Sequence, residues 1–329
     1  MMFESNTIDA LQPLDLICSF PIPVASPICA PNQGTFPKSF DKGRLRDNNS
    51  SQSKIEPINS TTTEFFQTMS LKHYLPEKTR IWLYWRRART LAVIKKAGHK
   101  LGLGKFIWKL ALPAEAGFWE QYLATGGKSC NTAEEFNFRI SPDSEFQPWL
   151  AKWMNCPEGA EVRVLDVGAG PLTWIGKKWN GRKLAIDAID PLAEAYGQFL
   201  RRLGIKPPVE TKAGDGEDVV KLFGRQVFDL TFARNCLDHS YDAIQAVTSM
   251  IEATKPGGII VLWHGPDEGE TECYQGLHQW NFHLENAELV VWKGDKKLNV
   301  NRAFAGQLQV LQCELQENWV LAIYRKVQT

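Results

Sequence analysis

From Glu161 onward, short apolar segments of strand length alternate with segments of helical character. Strands are predicted at 162–167, 183–189, 209–213, 228–232 and 259–263, with helices at 192–203 and 243–253. Two last strands are predicted near 308–315 and 319–324. Strands that alternate with helices build a parallel sheet with helices on both faces. This alternation therefore predicts an α/β domain, to which we assign residues 156–329.

The chain before residue 156 has a different character. Residues 1–68 contain a polar run at 47–53 and a threonine run at 61–63, without a sustained period of 3.6 or 2. Such a segment buries too little apolar area to offset its chain entropy, so we predict that it is disordered. Met69 looks more like an authentic start than Met1 does. Our hypothesis is that the extension results from a mis-called start codon. Residues 69–155 are predicted to form a helical, basic and aromatic cap region that folds over the site.

Basic residues are concentrated between Met69 and Leu110, where eleven Lys or Arg accompany one acid, Glu77. The spacing of Trp82, Trp85 and their neighbours predicts a helix over 77–100. The simplest interpretation is a basic-faced helix whose aromatic residues pack on the core. The alternative is contact between residues 80–100 and an anionic membrane surface or another polyanion. A nucleic-acid partner is not favoured, because the net charge of the whole chain is only +1.

Cysteine usage and hydropathy indicate the compartment. The seven cysteines are scattered and none forms a C-x-x-C pair, which favours reduced thiols in the cytoplasm. No run of 18 apolar residues predicts a transmembrane helix. The apolar stretch at 14–30 is interrupted by prolines and no basic residue opens it, so a signal peptide is not predicted.

The sharpest motif follows the first predicted strand. That strand ends in Asp166 and the turn Gly168-Ala169-Gly170, where glycines let the backbone turn tightly and approach a ligand. A dinucleotide site usually has a third glycine three residues later, but Thr173 stands there. Pro171 opens the helix predicted after this turn and removes one N–H that a phosphate could use. The turn therefore predicts a ligand without a diphosphate.

Further acids follow the next strands. Asp190, followed by Pro191, closes the second strand and is placed to accept both hydroxyls of a ribose. Asp215, between Gly214 and Gly216, could bond an adenine amino group, and Asp166 could meet an ammonium group directly or through water. The predicted cofactor site also includes Arg234 and Asn235, at the end of the fourth strand. Alternatively, Arg234 pairs with an acceptor anion or forms a salt bridge within the fold.

Together these motifs resemble the class I S-adenosylmethionine (SAM) dependent methyltransferases, with a domain of the type 11/12 kind. The resemblance covers residues 162–326 and includes Lys255-Pro256-Gly257-Gly258 before the fifth strand. It implies a Rossmann-like, seven-stranded, mostly parallel sheet whose last two strands are antiparallel. It also implies SAM as the cofactor, bound across the carboxyl ends of the strands.

Candidate acceptor residues follow the fourth and fifth strands, where four of the six histidines lie between 239 and 283. We predict His239 as the catalytic base, oriented by Asp238, with His264 as the next candidate. These residues and His278 could instead bind a divalent metal. No H-x-x-x-H or H-x-H spacing supports that, so no metal site is predicted. Trp280 and Phe282 either stack on a planar or sugar acceptor or belong to the core.

The leading functional hypothesis is methyl transfer to a hydroxyl, or another nucleophile, of a small molecule or glycan. Residues 234–241 and 278–282 look like those of bacterial methyltransferases associated with surface polysaccharides, which favours a sugar hydroxyl. One alternative is a methyltransferase of RNA or protein that grips its substrate with the basic helix. The other is a SAM-binding protein without catalytic activity. The sequence does not define the oligomeric state.

Overall fold

The computed structural model describes residues 104–328. The predicted disordered segment 1–68 and the predicted basic helix at 77–100 lie outside these residues. The described N-terminal part is helical, as the sequence predicts. Its helices are α1 (Gly104–Thr125), α2 (Ala133–Ile140) and α3 (Pro148–Ala151), and a 3-10 turn (Lys128–Cys130) lies between the first two.

The remainder is the predicted α/β domain. Its first half contains β1 (Glu161–Val167), β2 (Lys183–Asp190), α4 (Ala193–Arg202), β3 (Thr211–Ala213), α5 (Val219–Phe223), β4 (Phe228–Arg234) and α6 (Ala243–Ala253). Its second half contains β5 (Thr254–His264), α7 (Glu268–Thr271), β6 (Asn281–Glu285), β7 (Glu288–Lys293), β8 (Lys296–Asn299), α8 (Val300–Ala303), β9 (Leu308–Gln316) and β10 (Trp319–Lys326). Short 3-10 turns occupy Gly216–Asp218 and Leu237–His239.

Seven strands form one sheet in the order β3-β2-β1-β4-β5-β10-β9. The first five run parallel, whereas β10 pairs antiparallel with β5 and with β9. This topology confirms the seven-stranded, mostly parallel sheet. The strand order reverses between β1 and β4, and open α/β sheets bind ligands at such a switch point, outside the carboxyl ends of the strands.

The connection from β1 to β2 contradicts one sequence prediction. Pro171 does not open a helix, because residues 168–182 form an irregular loop of turns, bends and isolated β-bridges. Positive φ angles at Gly168 (65°) and Gly170 (64°) turn the chain away from helical geometry. Instead of a helix, Ile175 from this loop and Phe146 and Leu150 from the N-terminal region pack on that face of the sheet.

A second, three-stranded antiparallel sheet, β6-β7-β8, was not predicted and follows the fifth strand of the main sheet. Its buried residues Phe282, Leu289 and Val291 join the same core cluster as helix α6. The turn between β6 and β7 consists of Asn286 and Ala287, both with positive φ. Two-residue turns of this kind usually carry glycine, so the sequence signal for the hairpin is weak.

Helix α1 packs on the α/β domain rather than extending from it. Tyr122 and Leu123 of α1 are buried in one apolar cluster with Leu172 and with Leu200 of α4. Among the described residues, no helix combines the length and apolarity needed to cross a membrane. The five described cysteines are free thiols.

Candidate functional site

A cleft lies at the carboxyl ends of β1, β2 and β4, and helix α1 forms its roof. Of the residues predicted to bind the cofactor, six line it: Gly168, Asp190, Pro191, Asp215, Gly216 and Asn235. Ala169, Gly170 and Gly214 do not line the cleft directly. The topology therefore brings together the turns that follow four strands, β1, β2, β3 and β4.

Asp190 fixes the shape of this cleft. One carboxylate oxygen accepts a hydrogen bond from the Leu192 amide (2.9 Å), and the other accepts one from the Gly170 amide (3.1 Å). These bonds tie the loop after β1 to the end of β2. Burial raises the pKa of Asp190 to about 6, although both amide hydrogen bonds act in the opposite direction.

Gly168 allows the loop after β1 to lie close to the loop after β4. Its φ is 65°, and a Cβ on this residue would lie 2.4 Å from Cβ and 2.6 Å from Sγ of Cys236. The Cys236 thiol in turn donates to the Val167 carbonyl (3.1 Å). A side chain at this position would therefore push the two loops apart, so the glycine is required sterically as well as conformationally.

The far end of the cleft carries two more acids. Lys105 of α1 forms an ion pair with Asp215 (Nζ–Oδ2 2.9 Å) and also lies over the ring of Tyr241. Glu217 accepts a hydrogen bond from the Asp242 amide (2.8 Å), and burial raises the pKa of its carboxyl group to about 7. Asp215, the acid predicted to bind adenine, is thus in contact with helix α1.

The lining is acidic overall, because Glu115, Asp190, Asp215 and Glu217 all face the cleft. Carboxylates lining a cleft with low-dielectric walls focus a negative potential, which favours a cationic ligand. The absence of a helix directly after β1 means that this loop offers no helix N-terminus for a phosphate. Both features fit a nucleoside that carries a positive sulfur rather than a diphosphate.

Asp166 supports the loop instead of facing the cleft. It is 2% exposed, accepts a hydrogen bond from the Thr173 hydroxyl (2.6 Å) and a longer one from the Trp174 amide (3.3 Å). Burial raises the pKa of Asp166 to about 6. These hydrogen bonds explain the presence of an acid at position 166 by its support of the loop. Direct contact between Asp166 and a ligand stays a prediction.

Arg234 is also held within the fold. Its guanidinium pairs with Glu135 of α2 (Nη1–Oε1 3.1 Å) and lies over the rings of three tryptophans, Trp174, Trp263 and Trp319. Burial alone would raise the pKa of Glu135, but Arg139 and Arg234 outweigh it and lower the pKa to about 2. Arg234 does not line the cleft, so the structure favours the salt-bridge alternative.

Helix α1 contributes lining residues that the motif analysis did not include. Trp108, Leu112, Glu115 and Trp119 face the cleft from this helix, and Tyr196 faces it from α4. The Trp108 indole N–H donates to the His239 carbonyl (2.6 Å). The aromatic residues before 110 were a signal for this role, but only the tertiary structure shows which of them reach the cleft.

A polar cluster formed by Asp238, His239 and His278 stands beside the cofactor end of the cleft, and His239 lines the cleft itself. One oxygen of Asp238 lies 2.7 Å from Nδ1 of His278 and 3.3 Å from Nε2 of His239. The two imidazole nitrogens are 3.1 Å apart. The amides of Gln279 and Trp280 donate to the Asp238 carbonyl, which holds the loop carrying His278 in place.

Electrostatics within this cluster follow from burial and charge. Burial disfavours the ionised form of Asp238, but the two imidazoles outweigh it and lower the pKa of the carboxyl group. Burial likewise disfavours protonated His239, but Asp238 outweighs it and raises the pKa of the imidazole. Asp238 therefore favours the protonated form of His239.

His264, the second predicted base, lies behind this cluster and not in the cleft. It is fully buried, its ring stacks on Phe282 with the centroids 4.2 Å apart, and burial lowers its pKa to about 4. Phe282 and Trp280 are buried in the core as well, which favours the core interpretation of both aromatics. His278, and not the predicted His264, is therefore the second histidine beside the cleft.

The sheet order and the acidic cleft at its switch point are those of the class I SAM-dependent methyltransferase fold. More particularly, residues 165–262 match the family model described as Methyltransf_11, a methyltransferase domain. The chain therefore carries a methyltransferase type 11 domain, and its cofactor is SAM. No curated protein matches the chain.

Three solved structures illustrate the similarity. One is a chain of the Haloferax volcanii complex between the Trm112 methyltransferase activator and a protein described as a methyltransferase. It has 12% identity and a TM-score of 0.38, over 64% of this chain and 98% of that chain. A SAM-dependent methyltransferase from Clostridium acetobutylicum has 14% identity and a TM-score of 0.32, over 52% and 85%. The N-methyltransferase NodS from Bradyrhizobium japonicum, in complex with S-adenosylhomocysteine, has 17% identity and a TM-score of 0.32, over 51% and 79%. At these values the neighbours identify neither the substrate nor a partner.

Proposed function

We propose that the chain transfers the methyl group of SAM to a hydroxyl of a small molecule or glycan. The observation that carries the proposal is His239, an imidazole that lines the cofactor cleft and has a buried carboxylate, Asp238, behind it. A hydroxyl needs to lose its proton as the methyl group arrives, and an imidazole held by a carboxylate is suited to accept it.

Bound SAM supplies a methyl group on a positively charged sulfur. The residues of the chain have three tasks. Asp190, Asp215 and the glycine turn at Gly168 bind the nucleoside, and the acidic lining favours the sulfonium. Displacement at carbon needs mainly alignment of the acceptor opposite the sulfur, which is an effect of positioning. His239 then accepts the hydroxyl proton, and Asp238, which faces Nε2 of the imidazole, stabilises the resulting cation.

Several lining residues support a small or glycan acceptor. Trp108 and Trp119 offer aromatic faces, and Leu112 and Leu277 offer apolar contacts within the same cleft. These residues fit the apolar faces of a sugar or a planar alcohol. The acidic lining would repel a polyanion such as RNA. The basic helix at 77–100, on which the RNA or protein alternative depends, lies outside the described residues. On this proposal, the helices before residue 156 act as the cap of the acceptor site.

The test is to incubate the purified chain with methyl-labelled SAM and a cell extract, and then to separate small molecules, glycans, protein and RNA. We expect label in the small-molecule or glycan pool, stable to base as an ether is. His239→Gln should abolish labelling while SAM binding persists. His283→Ala, which removes another carboxylate-paired histidine away from the cleft, is the matched control and should label normally. Label in RNA or protein would support the macromolecular alternative, and no label in any pool would support the non-catalytic one.

A further inference from the structure

The cluster of Asp238, His239 and His278 has a geometry that hydrogen bonding alone does not satisfy. Three donor or acceptor atoms, one from each residue, form a triangle with edges of 2.7, 3.1 and 3.3 Å. With an ionised carboxylate and neutral imidazoles, at least one edge joins two donors or two acceptors. Such an edge is unfavourable, so a cation at the centre would satisfy all three atoms better than protons do.

Buried polar groups behind the triangle also indicate a bound ion. The second oxygen of Asp238 and one oxygen of Glu268 are buried without a donor from any other residue among 104–328, and only a protonated Glu268 carboxyl could donate to Asp238. Both ring nitrogens of His264, which lies next to them, also have no partner there. Buried polar groups are nearly always satisfied, and a group of exceptions in one place indicates an ion or water that they bind.

We propose that Asp238, His239 and His278 form a binding site for one divalent transition-metal ion of the Zn²⁺ type. The triangle's edges resemble the separations of neighbouring ligands around an ion with metal–ligand bonds of about 2.0–2.2 Å. Two imidazoles and one carboxylate are ligands that Zn²⁺ and its neighbours accept, whereas Mg²⁺ prefers oxygen alone. An ion at this point would replace the mismatched contacts with three lone pairs directed at one cation.

The site is open on one side. His239 lines the cleft and the side chains of His239 and His278 are 17% and 13% exposed, whereas that of Asp238 is 1% exposed. Three protein ligands with an open position are the pattern of a catalytic ion rather than a structural one. Because His239 lines the cleft, the open position of such an ion would be reachable from the cleft.

The role of the ion, though not its binding, rests on the proposed function. An ion bound to Nε2 of His239 leaves Nδ1 as the protonated nitrogen of the neutral ring, so the imidazole could no longer accept the acceptor proton. The acceptor oxygen would then bind the ion, which lowers the pKa of the hydroxyl, and the proton would pass to water. The methyl group would move from sulfur to that oxygen, leaving the sulfur neutral.

Sequence spacing cannot detect this site. His239 and His278 are 39 residues apart and come from different loops, so neither H-x-x-x-H nor H-x-H spacing arises. The prediction of no metal was based on that spacing. The structure brings the two loops together through the hydrogen bonds from the Gln279 and Trp280 amides to the Asp238 carbonyl.

The test uses the full chain treated with EDTA, desalted and titrated with Co²⁺ and, separately, Zn²⁺. We expect one equivalent of Co²⁺ to bind with visible d–d absorption and to be displaced by Zn²⁺. His278→Gln should weaken binding at least about tenfold, as the loss of a metal ligand requires. His283→Ala removes a histidine paired with Asp267 and Glu285 and should leave binding unchanged.

Zinc-edge X-ray absorption of the unmodified chain tests the ligands without any variant, and it should show two imidazole ligands. Absence of Co²⁺ and Zn²⁺ binding, or binding that survives in His278→Gln and is lost in His283→Ala, would overturn the proposal. Methyl transfer by the EDTA-treated chain at full rate would leave His239 as the base and remove the ion's role. If the unmodified chain binds the ion but transfers no methyl group, the metal site stands and the proposed function is contradicted instead.

Discussion

Gly168 leaves the loop after β1 little room for a side chain. Gly168→Ala should lower the free energy of unfolding by about 2–4 kcal/mol, through a left-handed backbone and an overpacked contact with Cys236. It should also weaken SAM binding. Gly159→Ala is the matched control, since its φ is 80° with no heavy atom within 4 Å of an added Cβ. That variant should lose only about 1 kcal/mol. Urea unfolding compares the two, and equal losses would contradict the steric role of Gly168.

Asp190 gives SAM binding a dependence on pH. Because burial raises the pKa of Asp190 to about 6, the carboxylate that accepts hydrogen bonds from a ribose forms as the pH rises through that value. SAM affinity should therefore increase between pH 5 and 7. Asp190→Asn should remove this increase and weaken binding roughly 10- to 100-fold.

Calorimetric titration at several pH values measures both effects. Asp187→Asn, on the same strand but paired with Arg163 and Lys212, should behave like the unmodified chain. A pH profile that is the same in the unmodified chain and in Asp190→Asn would show that another group controls binding.

Arg234 should matter to stability and not to the cofactor. Arg234→Ala leaves Glu135 with a single cationic partner and empties the space among the tryptophans, so unfolding should become easier by about 3 kcal/mol. Arg302→Ala breaks an exposed ion pair with Glu288 and should cost less than about 1 kcal/mol. Thermal or urea unfolding gives both values. A loss of SAM affinity in folded Arg234→Ala would restore the sequence-based prediction that Arg234 binds the cofactor.

At the scale of elements, a proline divides helix α1 into two halves. Pro113 lies inside the helix and separates a C-terminal half, anchored by Tyr122 and Leu123, from an N-terminal half that rests on the cleft. Proline within a helix removes a backbone hydrogen bond and favours a kink. The N-terminal half is held at the cleft by Lys105 and Trp108, so access to the cofactor site depends on those contacts.

Lys105 should therefore compete with the cofactor for Asp215. Lys105→Gln should raise SAM affinity by up to about fivefold, which is the range for a partly exposed ion pair. Lys109→Gln, one turn along α1, removes the same charge from an exposed position and should have no effect. Titration at low and high salt checks the cause, because added salt should reduce the difference between Lys105→Gln and the unmodified chain. Weaker binding in Lys105→Gln would mean that the lysine assists the cofactor.

At the scale of the whole molecule, SAM should stabilise the fold. At 100 times its dissociation constant, a ligand adds about 2.7 kcal/mol to the free energy of unfolding. For a domain of this size that corresponds to a rise in Tm of roughly 5–10 °C. Differential scanning fluorimetry with SAM, S-adenosylhomocysteine and NAD⁺ provides the measurement. A shift with NAD⁺ and none with SAM would contradict the assignment to the methyltransferases.

The sequence was sufficient for the parts of the fold that local patterns encode. The apolar strands, the glycine turn and the acids after β2 and β3 all lie close to their predicted places, because each depends on neighbouring residues. The small sheet β6-β7-β8 was missed because its first turn lacks glycine. The helix predicted after Gly170 was wrong because the turn at Gly168 and Gly170, together with the bond from Thr173 to Asp166, stabilises an irregular loop.

The site was less predictable than the fold because it depends on long-range contacts. Asp190 and Asp215 follow strands that are neighbours in the sheet implied by the resemblance, so their proximity could be inferred from the sequence. His278 approaches Asp238 only through backbone hydrogen bonds between two loops, and no local pattern encodes that. For the same reason His264 was a reasonable candidate whose burial against Phe282 the sequence could not reveal.

The three-stranded sheet also bears on how such an enzyme could diversify. The residues proposed to bind the nucleoside and the proposed base His239 lie in the turns after β1 to β4, whereas His278 belongs to the chain that leads into β6. One side of the proposed acceptor site thus belongs to a separable stretch of polypeptide. Exchange of the segment between β5 and β9 could redirect the enzyme to a new acceptor while its nucleoside-binding half is inherited unchanged.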